Sequence, residues 1–192
     1  MTGEQIFIAK VPQFEDTIPW LYLDNDEPAN VTVGIGCEIG LEEAMTLPFS
    51  IGPYLATPTQ IQQEFMKVRG MNGGERASAY RYNGCLTLST DAIADLLQRR
   101  TAAAVADLNG IFPDFPEWPP SCRAAAINMR FQLGDGVPGP PPTGLHAYQL
   151  WIAAARVHNW LACAQQSAIN DWNVAFDIRN RWMHEMFAQG AV

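Results

Sequence analysis

Residues 14–36 read FEDTIPWLYLDNDEPANVTVGIG. An acid, Glu15, stands before an apolar and aromatic run, and a second acid, Asp24, closes it. Ile18, Leu21 and Tyr22 recur three and four apart, which predicts a short helical turn after Glu15 even though Pro19 interrupts it. Turn formers follow in Asn25–Asn30. Val31-Thr32-Val33 then alternates as a strand does, and Gly34 and Gly36 punctuate it. The segment is therefore predicted to contain a β-hairpin whose loop lies between Asp24 and Val31. Thr32, on the returning strand, is placed to face the same groove as Asp24.

Two carboxylates perform acid and base chemistry when their surroundings separate their affinities for a proton. Beside Phe14, Ile18 and Trp20, an apolar setting would favour the neutral form of Glu15. Asp24, at the start of a polar turn, is expected to stay ionised. A neutral acid on one side of a bond, with a carboxylate and hydroxyl holding water on the other, is what an inverting glycosidase needs.

Pro48, Pro53 and Pro58 break up the region that follows, and Gln60–Arg69 is predicted as a helix with Ile61, Phe65 and Val68 on one stripe. GMNGGE at 70–75 reads as a loop. Ser89-Thr90-Asp91 is a helix-start signal, and Ile93, Leu96, Leu97, Ala104, Val105 and Leu108 follow it at helical spacing. One helix of roughly 20 residues results, a length suited to joining two lobes. FPDFPEWPP at 112–120 is a proline-rich connection. CRAAAINMRFQLG at 122–134 is a strongly apolar helix ended by Gly134. A stiff loop, GDGVPGPPPTG at 134–144, leads to helices expected at 144–155, 157–169 and about 173–188. The reading is α+β and mostly helical.

The chain has 192 residues, 48% apolar and 17% charged, which fits one sizeable domain or two small lobes. No run approaches the ~20 apolar residues of a membrane span. The first residues, MTGEQIFIAKVPQFEDT, lack the basic start and apolar core of a secretory signal, so delivery beyond the cytoplasm is expected to need another route. A formal charge of −8 without a Lys/Arg cluster argues against nucleic acid. Cys37, Cys85, Cys122 and Cys163 form no CxxC pair and read as reduced, partly buried thiols. His146, His158 and His184 form no metal motif. Trp118, Trp151, Trp160, Trp172 and Trp182 read as core; Trp20, between the two acids, is the candidate for sugar contact.

Glu15, Tyr22, Asp24, Thr32 and Gly34-Ile35-Gly36 occur in the order and spacing of a known active-site motif. The segment resembles that of phage-type lysozymes, above all those of the T-even phages. LTLSTDAIADLLQRRTAAAVADL at 86–108 resembles their inter-lobe helix, and Ile127, Asn128, Met129, Phe131, Gln132 and Gly134 their central buried helix. Asp171-Trp172 followed by Arg179 is similar to the family's Trp and later Arg. About three quarters of the chain is covered. The resemblance implies that Glu15 is the general acid, that Asp24 orients or activates water and that Thr32 helps hold it. It implies that Arg179 pairs with Glu15 or steadies the groove, with Arg181 a rival, and that Gln132 and Asn128 line the groove or tie the lobes. For Asn128, a satisfied structural amide is the favoured role. The chain departs from the family in a longer turn after Asp24, in Cys37 where a histidine is usual, in a longer 41–85 region and in its acidic charge.

The resemblance implies a two-lobed lysozyme-like fold. Its N-terminal lobe would span about 13–88, its inter-lobe helix about 89–110, and its C-terminal lobe about 111–192 together with 1–12. The implied activity is muramidase: hydrolysis of the β-1,4 bond between N-acetylmuramic acid and N-acetylglucosamine in peptidoglycan, with no metal or organic cofactor. A phage endolysin released through a holin and an antibacterial effector loaded onto a secretion machine both fit. The effector form would have an immunity protein as partner. A lytic transglycosylase and a non-catalytic wall-binding module are the rival readings.

Overall fold

Thr2 and Gln5 open the first helix, α1 (Gly3–Lys10), with a reciprocal cap. The Gln5 N–H donates to Thr2 Oγ1 at 3.3 Å, and the Thr2 N–H donates to Gln5 Oε1 at 2.9 Å. Our computed structural model describes residues 1–24, 28–134, 136–169 and 178–191. Among these the fold is α+β and mostly helical, with small antiparallel sheets. The chain divides into two compact units, one of Glu15–Arg99 and one of Met1–Phe14 with Arg100–Val192.

The Glu15–Arg99 unit begins with β1 (Thr17–Leu23), which pairs antiparallel with β2 (Val31–Ile35); β3 (Cys37–Glu38) extends the sheet. The hairpin forms as expected, but the helical turn after Glu15 does not: the Ile18–Leu21–Tyr22 spacing belongs to a strand. Pro19 has no N–H for a helical ladder, and β2 offers β1 backbone partners instead. The pairing runs from Ile18↔Gly34 to Tyr22↔Thr32, four steps along β1 against two along β2. The irregularity encloses Pro19, where a strand tolerates proline best. The Pro19 carbonyl accepts from the Leu88 N–H at 2.8 Å. Every residue of β2 is buried, so its VTVGI sequence suits a strand covered on both faces. Residues 25–27 of the connecting loop lie outside the described residues.

Beyond β3 come α2 (Leu41–Ala44), the short hairpin β4 (Ser50–Ile51) and β5 (Tyr54–Leu55), and α3 (Pro58–Arg69). A Thr57–Gln60 capping box and Pro58 in the first turn fix the start of α3. Its Ile61, Phe65 and Val68 stripe is buried as expected, and Val33, Phe49 and Leu86 of the same unit are buried as well.

The long helix is α4 (Thr90–Ile111); the Ala92 N–H donates to Ser89 Oγ at 3.2 Å at its start. It belongs to the first unit as far as Arg99 and to the second from Arg100. In that second unit α5 (Pro120–Leu133) is central, with Cys122 and Ala124–Met129 buried and Gly134 at φ 72° as its terminator. Small residues allow close approach: a Cβ on Gly3 would come within 2.5 Å of Arg123 Cβ, so α1 lies tightly on α5. An Arg123–Glu4 ion pair joins the same helices. The remainder is α6 (Gln149–Arg156), α7 (Trp160–Gln166) and α8 (Ile178–Gln189).

The expected helix at 144–155 begins as a separate 3-10 turn, Gly144–Ala147. That expected at 157–169 is shorter, because His158 at φ 54° breaks the chain before Asn159 caps α7. Residues 173–177 of the last helix expected lie outside the described residues, as does Trp172. Trp118, Trp151, Trp160 and Trp182 are core residues. No disulfide joins the four cysteines, three of which are buried. Among the described residues no helix is long and apolar enough to cross a membrane.

Candidate active site

Asp24 follows the last residue of β1, and its backbone and side chain together shape the loop. Its N–H donates to the Asn30 carbonyl at 3.0 Å, while Asn30 N–H donates to Asp24 Oδ1 at 2.8 Å. Thr32, 3% exposed, sits opposite Tyr22 in the register. Its hydroxyl lies 3.3 Å from Asp24 Oδ2 and 3.3 Å from the Asn30 carbonyl, two acceptors for one proton. The hairpin thus brings together the two residues that the sequence placed on one groove.

Glu15, half-buried, precedes β1. A Cβ built on Gly36 would stand 3.4 Å from Glu15 Cδ and Oε2, so the carboxyl group lies against the turn between β2 and β3. Gly36 also holds φ at 61°, a second reason for glycine there. Tyr22 lies within electrostatic reach of both acids. Burial holds its phenol protonated well above the ordinary range, and the charges of Glu15, Asp24, Cys37 and Asp16 push the same way. The apolar spacing places Tyr22 in a helical turn and the resemblance places it in a motif; its period-two relation to Asp24 along a strand was the available signal. Cys37 is buried, with Sγ 3.6 Å from the Ile35 carbonyl.

Trp20 is half-buried, and its indole N–H donates to the Ala77 carbonyl at 2.8 Å. The Arg81 guanidinium lies over the ring, 4.9 Å from its centroid. The indole therefore anchors the 3-10 turn Ala77–Tyr80 to β1.

Arg179, Gln132 and Asn128 belong to the other unit. Arg179 Nη1 donates to Gln132 Oε1 at 2.5 Å, linking α8 to α5. The same guanidinium lies 5.4 Å from the centroid of Phe14, whose ring also meets Lys10 and Trp182. Arg179 thus grips the residue that precedes Glu15 in the chain. Its rival Arg181 is exposed. Asn128 is fully buried and donates through Nδ2 to Met183 Sδ at 3.0 Å, but its Oδ1 has no partner. Among the described residues the expected satisfied amide is thus satisfied on one side only. No protein-family model matches this chain, and no curated protein matches it.

Proposed function

We propose that this chain is a peptidoglycan muramidase of lysozyme-like, two-lobed fold. The observation that carries the reading is the hairpin arrangement: Thr32 Oγ1 3.3 Å from Asp24 Oδ2, with the Glu15 carboxyl against Gly36 of the same sheet. In this reading Glu15 donates its proton to the glycosidic oxygen as the bond to C1 breaks. Asp24 accepts a proton from a water held by Thr32, and that water attacks C1 from the opposite face with inversion. Tyr22, kept neutral, adds no charge near the two acids. Arg179 and Gln132 act at one remove, by fixing Phe14 and so the segment that carries Glu15. Flanking sugars supply binding energy that positions the scissile bond.

The acidic charge, Cys37 and the long 41–85 region support an antibacterial effector with an immunity protein over an endolysin. Digestion of purified peptidoglycan tests the activity. The wild type is expected to release soluble muropeptides, and Glu15→Gln to do so at least ~100-fold more slowly. Equal release by both proteins would overturn the assignment of Glu15. Binding without release by either would favour a wall-binding module.

A further inference from the structure

The α6–α7 region holds a pocket of about 290 Å³ that the muramidase reading leaves unused. It lies in the unit that lacks Glu15, Asp24 and Thr32. Tyr148, Gln149, Leu150, Trp151, Gln165 and Gln166 line it. None of the described residues lining it carries a charge, in a chain with 12 basic and 20 acidic residues. Such a lining offers no counter-charge to a phosphate, a carboxylate or an ammonium group. Carboxamides donate and accept at once, as sugar hydroxyls and acetamido groups do, and three glutamines present them here. Leu150, 70% exposed, adds an apolar surface for the C–H face of a ring.

Trp151 forms the buried wall of the pocket. Its side chain is fully buried, yet its indole N–H has no acceptor among the described residues. Buried donors without partners are rare. The donor is sealed from solvent, so the indole responds to an occupant as a neighbour of the pocket rather than as a direct contact. The volume stands at the lower end of small-ligand sites, about 300–1,000 Å³, and suits one sugar ring rather than a chain.

We propose that this pocket binds one neutral sugar residue, an N-acetylhexosamine, apart from the catalytic acids. The choice of an amino sugar rests on the muramidase reading; the choice of a neutral sugar rests on the pocket alone. The test is ¹H–¹⁵N NMR on Glu15→Gln protein titrated with tri-N-acetylchitotriose. Saturable shifts are expected in the Trp151 indole and in the side-chain amides of Gln149, Gln165 and Gln166. Gln165→Ala/Gln166→Ala should weaken them at least tenfold while the rest of the spectrum stays unchanged. Shifts confined to the 15–36 segment, or no shifts at all, would overturn the site. Equal shifts with maltotriose would overturn the amino-sugar assignment, and a response to muramyl dipeptide alone would overturn the neutral-sugar assignment. Peptidoglycan digestion by the Gln165→Ala/Gln166→Ala protein separates the two ideas, because cleavage there continues even if the pocket binds nothing.

Discussion

Thr32 Oγ1 stands 3.3 Å from Asp24 Oδ2, across a hairpin whose register pairs Thr32 with Tyr22. One hydroxyl proton thus faces the carboxylate and the Asn30 carbonyl together. Thr32→Val keeps the shape and the β-branch but removes that proton. In the proposed mechanism the same hydroxyl holds the attacking water in the transition state, so kcat is expected to fall roughly 10- to 100-fold. Circular dichroism should show an unchanged fold, and muropeptide release gives the rate.

Gly36 allows the Glu15 carboxyl to lie against the turn, at a φ of 61° that favours glycine. Gly36→Ala should cost about 1–2 kcal/mol through backbone strain, which in a chain of this size lowers Tm by roughly 2–8 °C. Activity should fall further than the loss of folded protein explains, because the new methyl group stands beside the acid. Calorimetry and wall digestion on the same sample separate the two effects.

Asp114 accepts from His158 Nε2 at 2.5 Å and from the Trp118 indole at 3.3 Å, and the bond with His158 holds its carboxyl below the usual carboxylate range. A lowered folded value means stability that is present above the unfolded value and lost as pH falls through the folded one. Wild type should therefore exceed Asp114→Asn in Tm at neutral pH, and the gap should close below about pH 4. Thermal melts of both proteins from pH 7 to pH 2 check this. The groups are well exposed, so the gap should also shrink in high salt.

Asn128 contributes one hydrogen bond and one buried oxygen without a partner. Replacing both partners of a buried hydrogen bond by apolar groups of similar shape is nearly neutral or stabilising, and the partner here, the Met183 thioether, is only a weak acceptor. Asn128→Leu is expected to keep stability within ~1 kcal/mol of wild type or to raise it. A structural amide predicts unchanged muropeptide release; a groove-lining role predicts its loss.

The helical frame was legible because its signals are local and agree with one another. Ser89 caps α4, Gly134 stops α5, and Ile61, Phe65 and Val68 mark one buried face of α3. Asp24 and Thr32 were legible for a similar reason, since two turn-separated runs leave little choice of pairing. β1 was not legible as a strand. Its irregularity around Pro19 stretches the apolar spacing to three and four, which mimics a helix, and the backbone bonds that decide the matter come from β2. The α1 capping box of Thr2 and Gln5 was a missed local signal. The roles of Arg179 and Trp20 lay beyond sequence reading altogether. Phe14 and Gln132 for the one, and Ala77 and Arg81 for the other, come near only through tertiary packing.

The central claim is that Glu15 drives attack of water on a glycosidic bond. Mass spectrometry of peptidoglycan fragments made in ¹⁸O-water, with wild type beside Glu15→Gln, tests it most directly. The account predicts new reducing ends that each carry one ¹⁸O, from the wild type alone. Ends in the 1,6-anhydro form without label would contradict it, and so would labelled ends produced equally by both proteins.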